Sequence, residues 1–167
     1  MMVRAKMEDL EAVMDVYIAC TKKMNEHGLF NWDINYPNHK VIAQNIANGS
    51  LFILKDDGVK GVVCIDENQP VQYGDKAWQL PDNYICVHRL AINPIFQKQG
   101  LAYKAMNEIE SWAKDKGYSH VRLDAFGENR GARNLYAKLG YKEMGMVHLQ
   151  PDNDAEYMCF EKLLREV

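Results

Sequence analysis

The feature that most restricts the fold of this chain is a strand-like run followed closely by a helix-like run. Tyr84–Ile92 is rich in apolar and β-branched residues, and it ends at Asn93-Pro94, where proline stops further strand pairing. After a short connection that contains Gly100, apolar residues recur at helical spacing over 101–113. The sequence therefore predicts a strand, a tight connection and an amphipathic helix in succession.

The rest of the chain alternates between the same two patterns. Helical spacing predicts further helices over 10–24, where Asp9 is placed to cap, and over His39–Ala47 and Asn129–Leu139. Strand-like runs occur at Met2–Ala5, Leu51–Lys55, Val59–Ile65, His120–Phe126, Tyr141–Leu149 and Glu156–Leu163, with a loop at Glu67–Asp82 and a turn at Pro151-Asp152-Asn153. The order β-α-α-β-β-β-α-β-α-β-β predicts a mixed α/β fold, and 167 residues suit one domain over 1–167.

Composition and charge argue against several kinds of partner. The net charge is -3, whereas a nucleic-acid-binding surface normally carries a basic excess, so no nucleic-acid partner is expected. No apolar run has the length of a membrane span, and the N-terminus is unlike a signal peptide, which favours the cytoplasm and no membrane partner. The cysteines lack the spacing of a metal site, so buried reduced thiols and no metal are expected. They are Cys20, Cys64, Cys86 and Cys159.

The connection Gln97-Lys98-Gln99-Gly100-Leu101-Ala102 has the composition of a phosphate-binding turn. The first amides of a helix point outward from its N-terminus and, together with the helix dipole, attract anions. Gly100 allows a ligand to approach the backbone because no Cβ intervenes, and Lys98 adds a positive charge. The turn lacks the Gly-Lys-Ser/Thr of a Walker loop and the glycines of a dinucleotide fingerprint. A plain strand-to-helix turn, with glycine present for geometry alone, is the alternative interpretation.

Two segments resemble the signatures of GNAT N-acetyltransferases. The run His88-Arg89-Leu90-Ala91-Ile92-Asn93-Pro94, followed by Gln97–Ala102, is similar to the acetyl-CoA motif of that family, in which a strand precedes Gln/Arg-x-x-Gly-x-Gly/Ala. The run Asn129–Tyr141 is similar to the second signature, with its asparagine, alanine, Leu-Tyr pair and Gly-Phe/Tyr. Ala102 replaces the commoner glycine and Tyr141 replaces phenylalanine, and neither change opposes cofactor binding.

This resemblance implies a fold, an acetyl donor and a place for that donor. The fold would be of the α/β (α+β mixed) class, with a GNAT-type, mostly antiparallel central sheet whose middle strands splay apart, flanked by helices. Acetyl-CoA would donate the acetyl group, with its pantetheine arm between Tyr84–Ile92 and His120–Phe126. The residues implied to hold it are Leu90, Ala91 and Ile92 on the strand, Gln97, Lys98, Gln99, Gly100, Leu101 and Ala102 at the pyrophosphate, and Asn129 and Arg133 beyond. A plain helix N-cap at Asn129 and a solvated Arg133 are equally compatible with the sequence.

The resemblance also implies catalytic groups. Tyr136, in the Leu-Tyr position, would act as the acid that protonates the departing thiolate of CoA, although a tyrosine here could instead be a core aromatic. Asp124 lies at the offset that similar ribosomal-protein alanine acetyltransferases use for a carboxylate base. His88 corresponds to a histidine that relays protons in arylalkylamine acetyltransferases, and its usual pKa suits a base near neutrality. Asp124, His88 and bulk water remain alternatives for deprotonating the acceptor.

Aromatic residues are the candidates for binding the acceptor. They are Phe30, Trp32, Tyr36 and Tyr84. Aromatic faces attract ammonium groups, although Trp32 and Tyr36 could instead hold their loop on the core. The expected reaction is acetyl transfer to a primary amine of a small molecule or of a protein or peptide N-terminus, by direct attack in a ternary complex. A non-catalytic acyl-CoA sensor and an unrelated nucleotide-binding α/β domain are the alternatives, and nothing in the sequence requires a homodimer.

Overall fold

The computed structural model describes residues 1–76, 78–79, 81–150 and 154–165, and its strands form a seven-stranded mixed sheet. The strands β1 to β7 are Met2–Arg4, Leu51–Lys55, Val59–Asp66, Tyr84–Ile92, His120–Phe126, Lys142–Val147 and Tyr157–Leu163. The helices α1 to α4 are Leu10–Glu26, His39–Ala47, Leu101–Asp115 and Arg130–Lys138. The strand order is β1-β2-β3-β4-β5-β7-β6. Of the pairs with a defined register, β4–β5 is parallel and the others are antiparallel, which confirms the predicted fold class and element order.

The chain forms two compact units that share β4. The first unit comprises Met1–Ile65 and His88–Ile109, and the second comprises Asp66–Val87 and Glu110–Val167. β4 therefore begins in the second unit and ends in the first. The assignment of 1–167 to one domain stays a prediction.

Apolar residues of α1, α2, β2 and β3 build the core of the first unit. Val13 and Tyr17 lie one helical turn apart in α1, and both are fully buried, as is Ile42 of α2. Leu51–Leu54 of β2 is buried without alternation, so both faces of this strand are covered. The first unit therefore has a continuous core beneath its helices.

Gly61 of β3 occupies a position where no side chain fits. A Cβ there would lie 2.8 Å from the Cδ1 atoms of Ile92 and Leu54, and 2.9 Å from the carbonyl oxygen of Ala91. The carbonyl oxygen of the neighbouring Lys60 accepts a hydrogen bond from the Asn93 N–H at 2.8 Å. Glycine thus allows β3 to approach the C-terminal half of β4 closely.

β5 is the centre of the second unit. It pairs with β4 from Tyr84↔His120 to Val87↔Leu123, and with β7 along its whole length. Its buried apolar residues, Val121 and Leu123, are joined by polar ones that are equally buried. Because unpaired buried charge is costly, these polar side chains are expected to have partners.

Arg122 of β5 is a buried cation held by rings and a carboxylate. Its guanidinium lies 4.4 Å from the Trp78 ring centre and 4.0 Å from that of Tyr84, and its Nε is 3.7 Å from Glu161 Oε2. The neighbouring His120 is also buried, and burial together with the charge of Arg122 lowers its pKa to about 4. His120 is therefore neutral at pH 7, and its 3.8 Å approach to Glu161 is not an ion pair there.

The structure refines several local predictions. Glu67–Asp82, predicted as a loop, contains a short 3-10 helix at Val71–Asp75. Asp9 stands before α1, but its carboxylate accepts a hydrogen bond from the Lys6 N–H at 2.8 Å and does not cap α1. The predicted turn Pro151-Asp152-Asn153 lies outside the described residues.

The predicted buried, reduced cysteines are confirmed: Cys20, Cys64, Cys86 and Cys159 are all free and buried. Among the described residues, no helix combines the length and the apolar character that crossing a membrane requires. Within those same residues, no cluster of three or more His, Cys, Asp or Glu side chains could hold a metal ion.

Candidate active site

The connection between β4 and α3 is a hydrogen-bonded turn in the first unit. The Asn93 side chain accepts a hydrogen bond from the Ile95 N–H at 3.2 Å, and the Gln97 N–H donates to the Pro94 carbonyl at 3.2 Å. Gly100 has a φ of 77°, a left-handed conformation that glycine adopts without steric cost. No protein atom lies within 4 Å of a Cβ built at this position, so the positive φ is what the protein itself requires of the glycine.

The backbone N–H groups of Lys98–Ala102 form a consecutive set of donors at the start of α3. Within the part of the chain that the structure describes, these groups donate to no acceptor. The first intrahelical bond runs from the Lys104 N–H to the Gly100 carbonyl at 3.0 Å, which leaves the preceding amides directed outward. Together with the positive end of the helix dipole, this arrangement can bind an anion.

Gln97 was predicted to hold the pyrophosphate, but its groups form hydrogen bonds within the protein. Its N–H is already bonded within the turn, so the set of available amides begins at Lys98. Its side chain donates to the Ile92 carbonyl at 2.9 Å and accepts from Lys23 Nζ at 2.8 Å. Gln97 therefore ties α1 to the end of β4 and shapes the turn from within.

The C-terminal half of β4 is anchored to α1 through its carbonyl groups. The Tyr17 hydroxyl donates to the Arg89 carbonyl at 2.9 Å, and Cys20 Sγ donates to the Ile92 carbonyl at 3.0 Å. Ala91 and Ile92 are buried and Leu90 is partly buried. Of the strand residues predicted to hold the pantetheine arm, Ile92 thus has a carbonyl that already accepts two hydrogen bonds.

Asp124 and Tyr136, two of the predicted catalytic residues, lie in the second unit with a residue that the sequence did not single out. The hydroxyl of the fully buried Tyr73 donates to Asp124 Oδ2. Burial, and then the charge of Asp124, raise the pKa of Tyr73 well above its ordinary value. Tyr73 therefore stays protonated and orients the carboxylate.

Tyr136 of α4 is almost fully buried against aromatic neighbours. Its ring centre lies 5.5 Å from that of Phe160 and 5.7 Å from that of Tyr141. Burial raises the pKa of the Tyr136 hydroxyl, and the charge of Asp124 raises it further. Among the described residues, this hydroxyl has no hydrogen-bond partner. Tyr136 thus presents a protonated donor within the electrostatic reach of Asp124.

The other polar residues predicted from the motifs occupy varied positions. His88 is a partly buried residue of β4, in the first unit. Asn129 caps α4, because its side chain accepts from the Ala132 N–H at 3.1 Å, which confirms the N-cap interpretation. Arg133 donates to the Gly127 carbonyl at 3.2 Å and pairs with Glu143 at 3.3 Å.

The aromatic residues predicted to bind the acceptor fall into separate environments. Phe30 is 66% exposed, whereas Trp32 packs edge-on against Tyr17 at 5.5 Å and so belongs to the core of the first unit. The Tyr36 hydroxyl accepts from Arg89 Nη1 at 3.0 Å. Tyr84, in the second unit, has a ring face covered by Arg122.

Similarity to known proteins agrees with this arrangement of turn, helix and strand. Residues 10–141 match the family model described as the acetyltransferase (GNAT) family. The chain belongs to the acetyltransferase (GNAT) family. It is therefore an N-acetyltransferase, and the resemblance seen in its sequence motifs is confirmed.

Relatives of this acetyltransferase span nearly its whole length. The N-acetyltransferase YesJ of Bacillus subtilis is 23% identical over 159 residues, which cover 93% of this chain and 85% of YesJ. A GNAT-family acetyltransferase structure from Streptococcus agalactiae superposes with a TM-score of 0.84 at 20% identity, covering 99% of this chain and 96% of the other. The structure of yncA from Salmonella typhimurium, with its cofactor acetyl-CoA, has a TM-score of 0.72 at 13% identity, covering 100% and 95%. At these identities, the two structures share the fold of this chain.

Proposed function

We propose that this acetyltransferase moves the acetyl group of acetyl-CoA to a primary amine of a small molecule or of a protein or peptide N-terminus. The amine attacks directly while donor and acceptor are bound together. The observation that carries the proposal is the run of unpartnered N–H groups at Lys98–Ala102, which opens α3 within the described part of the chain. Such a run suits the diphosphate of CoA, because each amide can donate to an anionic oxygen.

The residues around this turn suit the donor substrate. The amides of Lys98, Gln99, Gly100, Leu101 and Ala102 would hold the diphosphate, and the exposed Lys98 side chain adds a positive charge. Gln97 supports the turn from behind, and the backbone of Leu90–Ile92 would hold the pantetheine arm. Asn129 and Arg133 would also contact the donor, as the family resemblance implies. When bound, acetyl-CoA supplies an acetyl thioester that a neutral amine can attack.

Deprotonation of the acceptor is the first task of the protein's own side chains. An amine with a pKa of ~10.4 is neutral in only roughly one part in 10³ at pH 7, whereas an α-amine with a pKa of about 8 is neutral in roughly one part in ten. A base is therefore worth more for a lysine-like amine than for an N-terminus. There are three candidates for this base: Asp124, which Tyr73 orients, His88 of β4, and water.

The hydroxyl of Tyr136 would assist departure of the sulfur. Its raised pKa keeps it protonated at neutral pH, so it is always able to donate. A thiol has a pKa of about 8.5, below that of tyrosine, so complete proton transfer from the hydroxyl is uphill. Tyr136 would therefore stabilise the developing negative charge through a hydrogen bond, with the final proton arriving from solvent.

Acceptor-dependent release of CoA thiol tests the proposal. Acetyl-CoA is incubated with the protein and a panel of primary amines, and binding of CoA is measured in parallel by calorimetry. We expect CoA binding together with thiol release that rises with amine concentration. Tight CoA binding without amine-dependent release would support the non-catalytic sensor instead, and would overturn the proposal.

A further inference from the structure

Arg89 of β4 is a half-buried cation held in place by neutral groups. Its Nη1 donates to the Tyr36 hydroxyl at 3.0 Å, and its Nη2 donates to the Asn45 side chain of α2. The Tyr17 hydroxyl holds its carbonyl oxygen at 2.9 Å. The guanidinium is thus fixed from the loop before α2 and from α2 itself, while α1 fixes its backbone.

Among the residues that the structure describes, no negative charge compensates this guanidinium. Burial lowers the pKa of Arg89, but the Tyr36 and Tyr17 hydroxyls more than offset this and the net shift is upward, so Arg89 stays charged. Burial raises the pKa of Tyr17, which leaves that hydroxyl neutral at pH 7. In the described part of the chain, Arg89 forms no ion pair and its buried Nε has no acceptor.

Other buried or half-buried arginines of the chain have carboxylate partners. Arg122 lies 3.7 Å from Glu161, and Arg133 lies 3.3 Å from Glu143. An uncompensated buried charge destabilises a protein, whereas a pair with good hydrogen bonds does not. Arg89 therefore differs from these two arginines, because the described residues give it no carboxylate partner.

Arg89 also has an uncommon backbone conformation. Its φ is 50°, in the left-handed region that non-glycine residues avoid, and it interrupts the extended course of β4. Strain of this kind persists where surrounding contacts enforce it, and it is concentrated at functional positions. Here the Tyr17, Tyr36 and Asn45 contacts enforce it, on the residue immediately before the strand segment assigned to the pantetheine arm.

We propose that Arg89 binds the carboxylate of the acceptor, so that the preferred acceptors are amines that also carry a carboxylate, such as amino acids. This inference rests on the proposed function. A single uncompensated guanidinium matches a single carboxylate, whereas a phosphate dianion would leave excess negative charge. Arg89 is itself partly exposed and its hydrogen bond to the Tyr36 hydroxyl lies at the surface, so this side of the guanidinium is within reach of a ligand.

Matched acceptors test the inference. α-, β-, γ- and δ-amino acids are compared with their carboxamides, and each kcat/KM is corrected for the fraction of neutral amine. For at least one pair, we expect the carboxylate to be preferred about ten- to a hundredfold, the range of a hydrogen bond between charged groups. Arg89→Gln is expected to remove this preference, and Arg89→Lys to retain part of it.

The preference is a ratio measured within one protein, so a partly unfolded variant does not distort it. Arg4→Gln is the matched control, because Arg4 belongs to the same unit and lies over the Phe52 ring at 5.1 Å; it should keep the wild-type ratio. Equal turnover of acids and carboxamides, or an unchanged ratio in Arg89→Gln, would overturn this inference and leave the proposed function standing. Turnover of no amine at all would overturn both.

Discussion

Tyr73 and Asp124 are joined by a hydrogen bond between a fully buried hydroxyl and a half-buried carboxylate. The donor comes from the short 3-10 helix Val71–Asp75 and the acceptor from β5, so the contact joins distant parts of the chain within the second unit. A donor fixed in this way favours the charged form of its carboxylate. The pair therefore links the position of an irregular segment to the chemistry proposed for Asp124.

Replacing Tyr73 with phenylalanine removes the donor while keeping the ring. If Asp124 is the base, its charged form loses support, and the acidic limb of the kcat/KM–pH profile moves to higher pH. We also expect a loss of about 1–3 kcal/mol in the free energy of unfolding, because a buried hydrogen bond to a charge is lost. Tyr118→Phe, which removes the bond from a tyrosine to Glu67, is the control and should leave the limb in place. An unmoved limb in Tyr73→Phe would contradict the role of Asp124 as the base.

Replacing Tyr136 with phenylalanine separates a catalytic hydroxyl from a packing ring. The hydroxyl has no partner among the described residues, so the free energy of unfolding should change little. The value of kcat should fall, by about 10²-fold if the donor contributes as acid–base groups usually do, with little change in CoA affinity. Steady-state kinetics and calorimetric binding of CoA check these outcomes. Unaltered turnover across the pH range would remove Tyr136 from the mechanism.

The two candidate bases predict different pH profiles. Asp124→Asn and His88→Gln are compared with acceptors whose amines have high and low pKa values. The variant that lacks the true base should lose the acidic limb, and its kcat/KM should fall by about 10²–10⁴ for the high-pKa amine and by less for the other. If both variants keep the wild-type limb, the proton leaves through water.

Gly100→Ala tests the role of the turn before α3. A Cβ at Gly100 meets no atom within 4 Å, so the substitution acts through its φ of 77° and the direction of the nearby amides. We expect KM for acetyl-CoA to rise several-fold, with a stability loss of about 1 kcal/mol. Gly58→Ala is matched, because Gly58 also has a positive φ of 103° and open space at Cβ. A similar rise of KM in both variants would mean that the turn is not specific to the donor.

His120 makes the stability of the protein depend on pH. Burial, and then the charge of Arg122, lower its pKa to about 4, whereas an unfolded histidine titrates near 6.5. Between these values the unfolded state binds more protons, so stability falls as the pH drops from about 6.5 to 4, by up to about 3 kcal/mol. Urea unfolding at several pH values in this window gives the free energy of unfolding as a function of pH. This dependence should be weaker in His120→Gln than in the wild type, and unchanged in the control His148→Gln, whose histidine is exposed. A wild-type pH dependence of the free energy of unfolding in His120→Gln would contradict the prediction.

The helices and strands were predicted well, because helical and strand periodicity depends only on residues that are close in the sequence. Tyr84–Ile92 was predicted with its observed bounds, and Gly100 lies in the predicted connection between this strand and the next helix. Contacts between distant residues were not readable. Tyr84 was predicted to bind the acceptor because it is aromatic, but its ring covers Arg122, a partner set by sheet pairing.

Arg89 and Tyr73 were missed for a related reason. Arg89 stands in the quoted motif without a distinguishing residue pattern, and its importance depends on its φ and on the absence of a carboxylate among the described residues. Tyr73 lies in a segment without periodicity, and its role follows from a single hydrogen bond to a remote strand. Neither a backbone angle nor a long-range partner has a signature in one sequence.

The burial of the cysteines has a practical consequence for the assays described above. Cys20, Cys64, Cys86 and Cys159 are all inaccessible, and burial raises the pKa of both Cys20 and Cys159 to about 12. A chromogenic disulfide reagent reacts with thiolates that it can reach, so the folded enzyme contributes almost no background colour. The absorbance in such an assay then reports newly formed CoA alone, and a slow colour increase without acetyl-CoA would report unfolding of the protein.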